Sequence, residues 1–339
     1  MKKKLSIRDI ANHLNISKTT VSFILNGKAK EKRISDVLTE KVLKYIEEKD
    51  FKPNQLAKSL STGKTMIIGL MVEKISDYFF AKVAYHLEEL AYQNGYKIIY
   101  CSTENDTEKT KELIKLFHDR QVDGYIITPP VGIEDEIREL ISENLPVVLF
   151  DRYLPALDTS YVGLDNFGGT YNAVKHLIKC NYKNIAFVEL ESDQTQMHDR
   201  QQGYLKAIEE NKLEPIIKKI SFQNTTAITV DELTGLLQKQ PEIDAMFFAT
   251  NYLAMSGIKA INQLNLKIPD NIAVIAFDDH DVFDIYNPSI TAVAQPIDEM
   301  AKELINILLD KMESRTEIAA VKKVEVPARL ILRNSTRNS

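Results

Sequence analysis

Side chains that could grip a small polar ligand stand just after short apolar runs. Asp77, Tyr78, Phe79 and Phe80 come after "IIGLMV", Asp151 and Arg152 after "VVLF", Asn251 after "MFFAT", Asp278 and Asp279 after "IAVIAF", and Arg200 opens "DRQQGYLKAI". A guanidinium can hold two adjacent hydroxyls as a fork, Asp and Asn accept or bridge, and an aromatic face offers a platform, so the set suits a polyol. Each has an ordinary alternative: a strand-end Asp often caps a helix, Phe80 can be core, and Arg200 can pair with a carboxylate. "FDDHD" at 277–281 contains metal-ligand types, but five consecutive residues on a tight loop cannot easily converge on one ion. With no Gly-rich phosphate loop and no Ser, His and Asp in recognisable spacing, an enzyme is not expected.

A second chemistry lies near the start. In "SKTTVSF" the early polar positions Ser17, Lys18, Thr19 and Ser22, with Phe23, could face a duplex. Lys18 can donate to guanine, the hydroxyls suit phosphate or base edges, and Phe23 can touch a thymine methyl. Charge supports this division. Residues 1–64 carry 15 Lys and Arg against 7 Asp and Glu, a net +8, whereas the remainder carries 28 against 41, a net −13. A basic head suits a polyanion, and an acidic body would be repelled by one.

The elements that must position these residues are legible as patterns. Ser6 with Asp9 three residues later reads as a capping box opening a helix over about 7–14, with Leu5, Ile7, Ile10, Ala11 and Leu14 at helical spacing. A turn at Asn15, Ile16 and Ser17 leads to a second helix with Val21, Ile24 and Leu25 inward, and Asn26-Gly27 stops it. A third helix is expected from about Ser35 to Glu48. Pro53 breaks it, and 52–64 reads as a linker containing the short "NQLAKSL". From Met66 onward buried strands alternate with amphipathic helices: Ile67–Val72, Lys97–Ser102, Gly124–Thr128, Pro146–Phe150, Asn184–Glu189, Ala245–Ala249 and Ile272–Phe277 are the expected strands. Such alternation implies an α/β fold with parallel sheets and helices on both faces. A polar connection around 151–165 suggests two similar lobes.

The ordered series "SIRDIANHLNISKTTVSFILNG", "FKPNQLAKSLSTGKTMIIGLMV", "DRQVDGYIITP", "VGLDNFGGTYNAVKHLI", "IAVIAFDD" and "PARLILRNST" resembles the lactose/galactose repressor family of transcription regulators over nearly the whole chain. The resemblance implies a helix-turn-helix DNA-binding domain at 1–52, a hinge at 53–65, and a periplasmic-binding-protein-like effector and dimerisation domain at 66–339. Its lobes would take 66–160 with 294–320, and 161–293 with 321–339. It implies a homodimer on a pseudo-palindromic operator, with DNA contacts among Ser6, Ser17, Lys18, Thr19, Thr20, Ser22, Phe23 and Asn26, and at Asn54, Ala57, Lys58 and Leu60 of the hinge. Leu60 would be a minor-groove wedge. For the effector it favours Arg200 and Asp278, followed by Tyr78, Phe79, Phe80, Asp151, Arg152, Asn251, Phe222 and Gln295. Purine-responsive members carry a second Arg where this chain has Gln194 and Gln196, which favours a carbohydrate. The chain also departs from the family: "KAKEKR" makes a longer loop, Phe23 stands where a polar or basic reader is usual, Lys58 replaces Arg and Cys180 replaces Gly.

No run of about 18 apolar residues offers a membrane span. Arg8, Asp9, Asn12 and His13 interrupt any export signal after Lys2, Lys3 and Lys4. Cys101 and Cys180 suggest neither a disulfide framework nor a zinc site. A cytoplasmic protein without cofactor or metal is expected.

Overall fold

The computed structural model describes residues 5–51, 59, 63–313 and 320–337. It divides into two compact units, Met1–Thr65 and Met66–Ser339.

The first unit contains α1 (Ile7–Leu14), α2 (Lys18–Leu25) and α3 (Asp36–Glu48). Each begins where a side-chain oxygen can satisfy an orphan amide. Ser6 Oγ accepts from the Asp9 N–H at 3.2 Å while the Ser6 N–H donates to Asp9 Oδ2 at 2.9 Å, and Ser17 and Ser35 cap the other two. Asn15 closes α1 at φ 53°, a left-handed conformation that Asn tolerates and that sets up the tight turn into α2. Ile10, Ala11, Val21, Ile24, Val42 and Phe51 form the core.

The second unit holds two six-stranded sheets. The first is built from β1 (Ile67–Val72), β2 (Lys97–Ser102), β3 (Gly124–Ile127), β4 (Val147–Phe150), β5 (Tyr161–Leu164) and β11 (Lys323–Val326), in the order β11-β5-β4-β3-β1-β2. The other is built from β6 (Ile185–Leu190), β7 (Ile216–Ile220), β8 (Ala245–Phe248), β9 (Ala273–Phe277), β10 (Thr291–Ala294) and β12 (Arg329–Ile331), in the order β12-β10-β9-β8-β6-β7. Every pairing is parallel except β10 with β12. The central strands are buried along their whole length, as helix-covered parallel sheets require. The covering helices are α4 (Tyr78–Gln93), α5 (Thr107–Asp119), α6 (Glu134–Ser142), α7 (Asn166–Lys179), α8 (Thr195–Glu210), α9 (Thr226–Lys239), α10 (Asn251–Gln263), α11 (Asp281–Ile285) and α12 (Ile297–Glu313).

The lobe boundaries differ from those expected. β5 and β11 fall in the first lobe, not the second, because Leu149 pairs with Tyr161 and Lys323 pairs with Tyr161 from the other side. The chain therefore changes lobes between β5 and α7, between β10 and α12, and between β11 and β12. Alternation groups a strand with the helix after it, whereas burial of "YVGL" is completed by the strand before it. Among the described residues no helix is long and apolar enough to cross a membrane.

Candidate effector cavity and DNA-facing head

The carboxyl ends of β1, β4, β6, β8 and β9 converge on a cavity with about 440 Å³ of atom-free space, part of it open to solvent. This is where open α/β sheets place ligands. Phe79, Phe80, Asp151, Arg152, Arg200, Asn251, Asp278 and Gln295 line it. Two candidates do not. Phe222 is 41% exposed after β7, near the edge of its sheet, and Tyr78 turns away to donate to Asp281 Oδ1 at 2.5 Å and to stack against His280. The cavity also takes in Glu73, Leu190, Met197, Thr250 and Tyr252, which the sequence reading did not single out. Glu73 is the first residue past β1, so the strand-end rule could have found it. Tyr252 sits inside a helix, where nothing in the pattern marks it.

Asp151 and Asp278 end β4 and β9 with φ of 68° and 67°. A non-glycine residue held in this region costs about 1–3 kcal/mol, and such strain gathers at ligand sites. Both residues line the cavity.

Arg200 is 2% exposed. Its Nε donates to Asn166 Oδ1 at 2.8 Å, its Nη1 to the Ala249 carbonyl at 2.6 Å, and Asp278 Oδ2 lies 3.5 Å from Nη1. The guanidinium carbon rests 3.6 Å from the centre of the Phe277 ring. Arg152 is similarly occupied, by Glu73 Oε2 at 2.6 Å, Asn105 Oδ1 at 2.8 Å and Asp151 Oδ2 at 3.2 Å. Gln295 Nε2 donates to Asp278 Oδ1 at 2.5 Å and Gln196 Nε2 to Gln194 Oε1 at 3.1 Å, while the Oε1 atoms of Gln295 and Gln196 are buried without a partner. Both orphan atoms are acceptors awaiting donors.

Carboxylates outnumber guanidiniums in the cavity, with Glu73, Asp77, Asp151 and Asp278 facing Arg152 and Arg200. Burial lifts the Asp151 carboxyl above its usual range. Asp77 is pushed up to about 6, first by burial and then by the charge of Asp278, although its side chain also caps α4 by accepting from the Phe79 N–H at 2.9 Å. In the unfolded chain this carboxyl titrates near 3.8, so the folded body binds its proton more tightly. The stability it contributes is full below about pH 4 and is lost as pH rises through about 6. Asp77→Asn keeps a capping oxygen and removes the titration. Urea unfolding of the variant should therefore decline less between about pH 4 and 6 than that of the native protein, and the variant should be the more stable above that window. A decline equal to the native one would assign the proton elsewhere.

The side chains of "FDDHD" diverge. Asp279 takes both Nη atoms of Arg333 at 2.8 and 2.9 Å, the His280 ring accepts from the Val282 N–H, and Asp281 holds Tyr78. Among the described residues no group of three or more His, Cys, Asp or Glu is placed to hold a metal ion.

In the first unit Lys18 and Thr19 are exposed at the start of α2. Ser17 and Thr20 are tied to each other through the cap at 2.9 and 3.0 Å, and Ser6 is held in its capping box. Ser22 and Asn26 contact each other at 3.4 Å, and half-buried Phe23 carries the Lys32 ammonium 5.6 Å above its ring. Lys32 comes from the long "KAKEKR" loop, so a positive charge reaches this face although α2 supplies a Phe there. Asn54, Ala57, Lys58 and Leu60 lie outside the described residues.

Comparison with known proteins agrees with this anatomy. Residues 6–54 match the model of bacterial regulatory proteins of the lacI family, and residues 174–336 match a periplasmic binding protein-like domain. The chain is 30% identical to the HTH-type transcriptional regulator DegA of Bacillus subtilis over 98% of each chain. It is 29% identical to the ribose operon repressor of Halalkalibacterium halodurans over 98% of this chain and 97% of that one. The structure of a LacI family transcriptional regulator from Enterococcus faecium with bound ribose covers 80% of this chain, with a TM-score of 0.71 at 25% identity, and 98% of that chain is matched. With a capped helix-turn-helix head, a two-lobed body and relatives that span its full length, this chain belongs to the lacI family of bacterial regulatory proteins.

Proposed function

We propose that the protein is a cytoplasmic transcriptional repressor that binds a pseudo-palindromic operator as a homodimer and is controlled by an uncharged sugar in the interlobe cavity. Residues 1–52 would read the duplex, 53–65 would act as the hinge, and 66–339 would sense the ligand and dimerise. One observation carries the sugar reading. Both buried guanidiniums already satisfy protein carboxylates, and what remains is a surplus of acids with two orphan amide oxygens. A phosphate or carboxylate would meet uncompensated negative charge, whereas hydroxyls supply the donors these groups lack. The aromatic rings of Phe79 and Phe80 complete a polyol-type site. Relatives named for the ribose operon, or solved with ribose, support the same class.

In this reading ligand binding alters the hinge spacing and so biases hinge folding. A coupling of about 1–3 kcal/mol shifts operator affinity by roughly 5- to 150-fold. The test uses full-length protein and a duplex selected by it from random-sequence DNA. Its affinity should fall steeply as salt rises, because each neutralised phosphate releases counterions. Neutral sugars should raise the melting temperature and change duplex affinity, while their phosphates do neither. No duplex binding at any salt concentration would overturn the proposal, and a shift by sugar phosphates alone would overturn the ligand class.

A further inference from the structure

A second chamber lies beside the effector cavity and shares one wall with it, Met197. It is the roomier of the two, with about 790 Å³ of atom-free space, part of it open to solvent. Tyr153, from the loop after β4 in the first lobe, lines it together with Glu189 of β6, Lys219 of β7 and Asp199 and Gln201 of α8 from the second. The two lobes are joined here, since the Tyr153 N–H donates to Thr195 Oγ1 at 3.4 Å.

Glu189 is the unexpected residue. It occupies a strand otherwise made of Ile, Ala, Phe, Val and Leu, it is 3% exposed, and burial raises its carboxyl above the usual range. A buried carboxylate costs stability that an apolar residue of similar size would not, so its presence on a cavity wall calls for a partner. Gln201 Nε2 donates to Oε1 at 2.5 Å and fixes the group, while Lys219 Nζ stands 3.8 Å away on a half-exposed side chain. Asp193 and Asp199 line the same space with His198, so the three acids outnumber Lys219 and the one imidazole. Anions are disfavoured there and hydroxyl donors are favoured. Tyr153 supplies an aromatic surface held by the Tyr161 ring, centroids 5.1 Å apart, and Tyr161 is anchored in turn by its hydroxyl to Glu325 at 2.6 Å. A rigid aromatic face beside fixed acceptors is the chemistry of a sugar-ring site. Met197, which borders both chambers, is an unbranched thioether with freely rotating bonds, a side chain that readily moves aside for a bridging atom.

We propose that the outer chamber is a second saccharide subsite, so that the ligand sensed by this protein has two sugar rings, one in each chamber. This rests on the reading of the inner cavity as a sugar site. Isothermal titration of the full-length protein compares D-glucose with cellobiose and maltose, D-xylose with xylobiose, and D-galactose with melibiose. At least one disaccharide should bind about tenfold or more tightly than its monosaccharide, and Tyr153→Ala should erase that gain while the monosaccharide Kd stays within about twofold. Glu189→Gln, which keeps the shape and the Gln201 contact, should remove part of the gain and stands in if the Ala variant melts early. Monosaccharide binding with no gain from any second ring, or equal weakening of both sizes by Tyr153→Ala, overturns the subsite and leaves sugar sensing intact. If neither size binds, the sugar reading fails, and the subsite with it.

Discussion

Arg200→Met should remove sugar binding and cost the body about 3–5 kcal/mol, since withdrawing one partner from a buried pair strands the other. Asn166 Oδ1 and the Ala249 carbonyl lose their donor at once, and Asp278 loses its cation and keeps only Gln295. Stacking on Phe277 is lost as well, a contact worth up to about 2 kcal/mol when desolvated. Urea unfolding of the full-length protein, followed by a signal from the body, measures the first effect, and titration with the sugar identified for the native protein measures the second. Arg200→Lys separates the two. It restores a charge near Asp278 but has no planar fork to reach Asn166 and Ala249 together, so it should recover part of the stability and little of the affinity. Sugar affinity within about threefold of native in the Met variant would mean that Arg200 only holds the fold.

The second large effect is expected one helical turn further along. A Cβ on Gly203 would lie 2.4 Å from the Phe167 carbonyl oxygen and 3.1 Å from both the Thr170 Cβ and the Tyr171 nitrogen. The obstacle is backbone, which cannot rotate aside as a side-chain tip does. Gly203→Ala must therefore push α8 away from α7, at a cost of about 1–3 kcal/mol, the range seen for overpacking. The displacement has a functional consequence. Arg200 lies three residues earlier, and it spans to Asn166 at the start of α7. Separating the helices draws Arg200 Nε off its acceptor, so sugar affinity should fall together with stability. The two substitutions share partners, so the double variant Arg200→Met with Gly203→Ala should lose less than the sum of the single losses. Native melting temperature in Gly203→Ala would contradict the close approach.

Much of the site is a consequence of where strands end. Asp151, Arg152, Asn251 and Asp278 follow apolar runs short enough to be strands, and in a parallel sheet the residues past the carboxyl ends share one rim. Nothing so local separates Tyr78 from Phe79. They are neighbours at the first turn of α4, yet one reaches Asp281 and the other lines the cavity, because successive helical residues point about 100° apart. Phe222 follows an edge strand that the alternation did not reveal, and its ring stays in solvent. β7, β11 and β12 were unmarked for a related reason, and β10, which is buried inside its sheet, because it is only four residues long. "IIKKI" is only partly buried at the edge of its sheet, and the last two strands are short and half exposed. Runs of three to five residues are too short for an alternation to register.

Local chemistry alone determined the three capped helices of the head, the basic and acidic halves, and the inventory of acids, guanidiniums and rings offered to a ligand, since caps, charge and strand length act between near neighbours. Tertiary packing decided which lobe owns β5 and β11, that both arginines are already spoken for by protein carboxylates, and that Glu189 and Tyr153 border a common chamber. Those outcomes depend on contacts between residues tens to more than a hundred positions apart, such as Arg152 with Glu73 and Tyr161 with Glu325. Only closure of the chain in space settles which of the competing partners is near enough to bond.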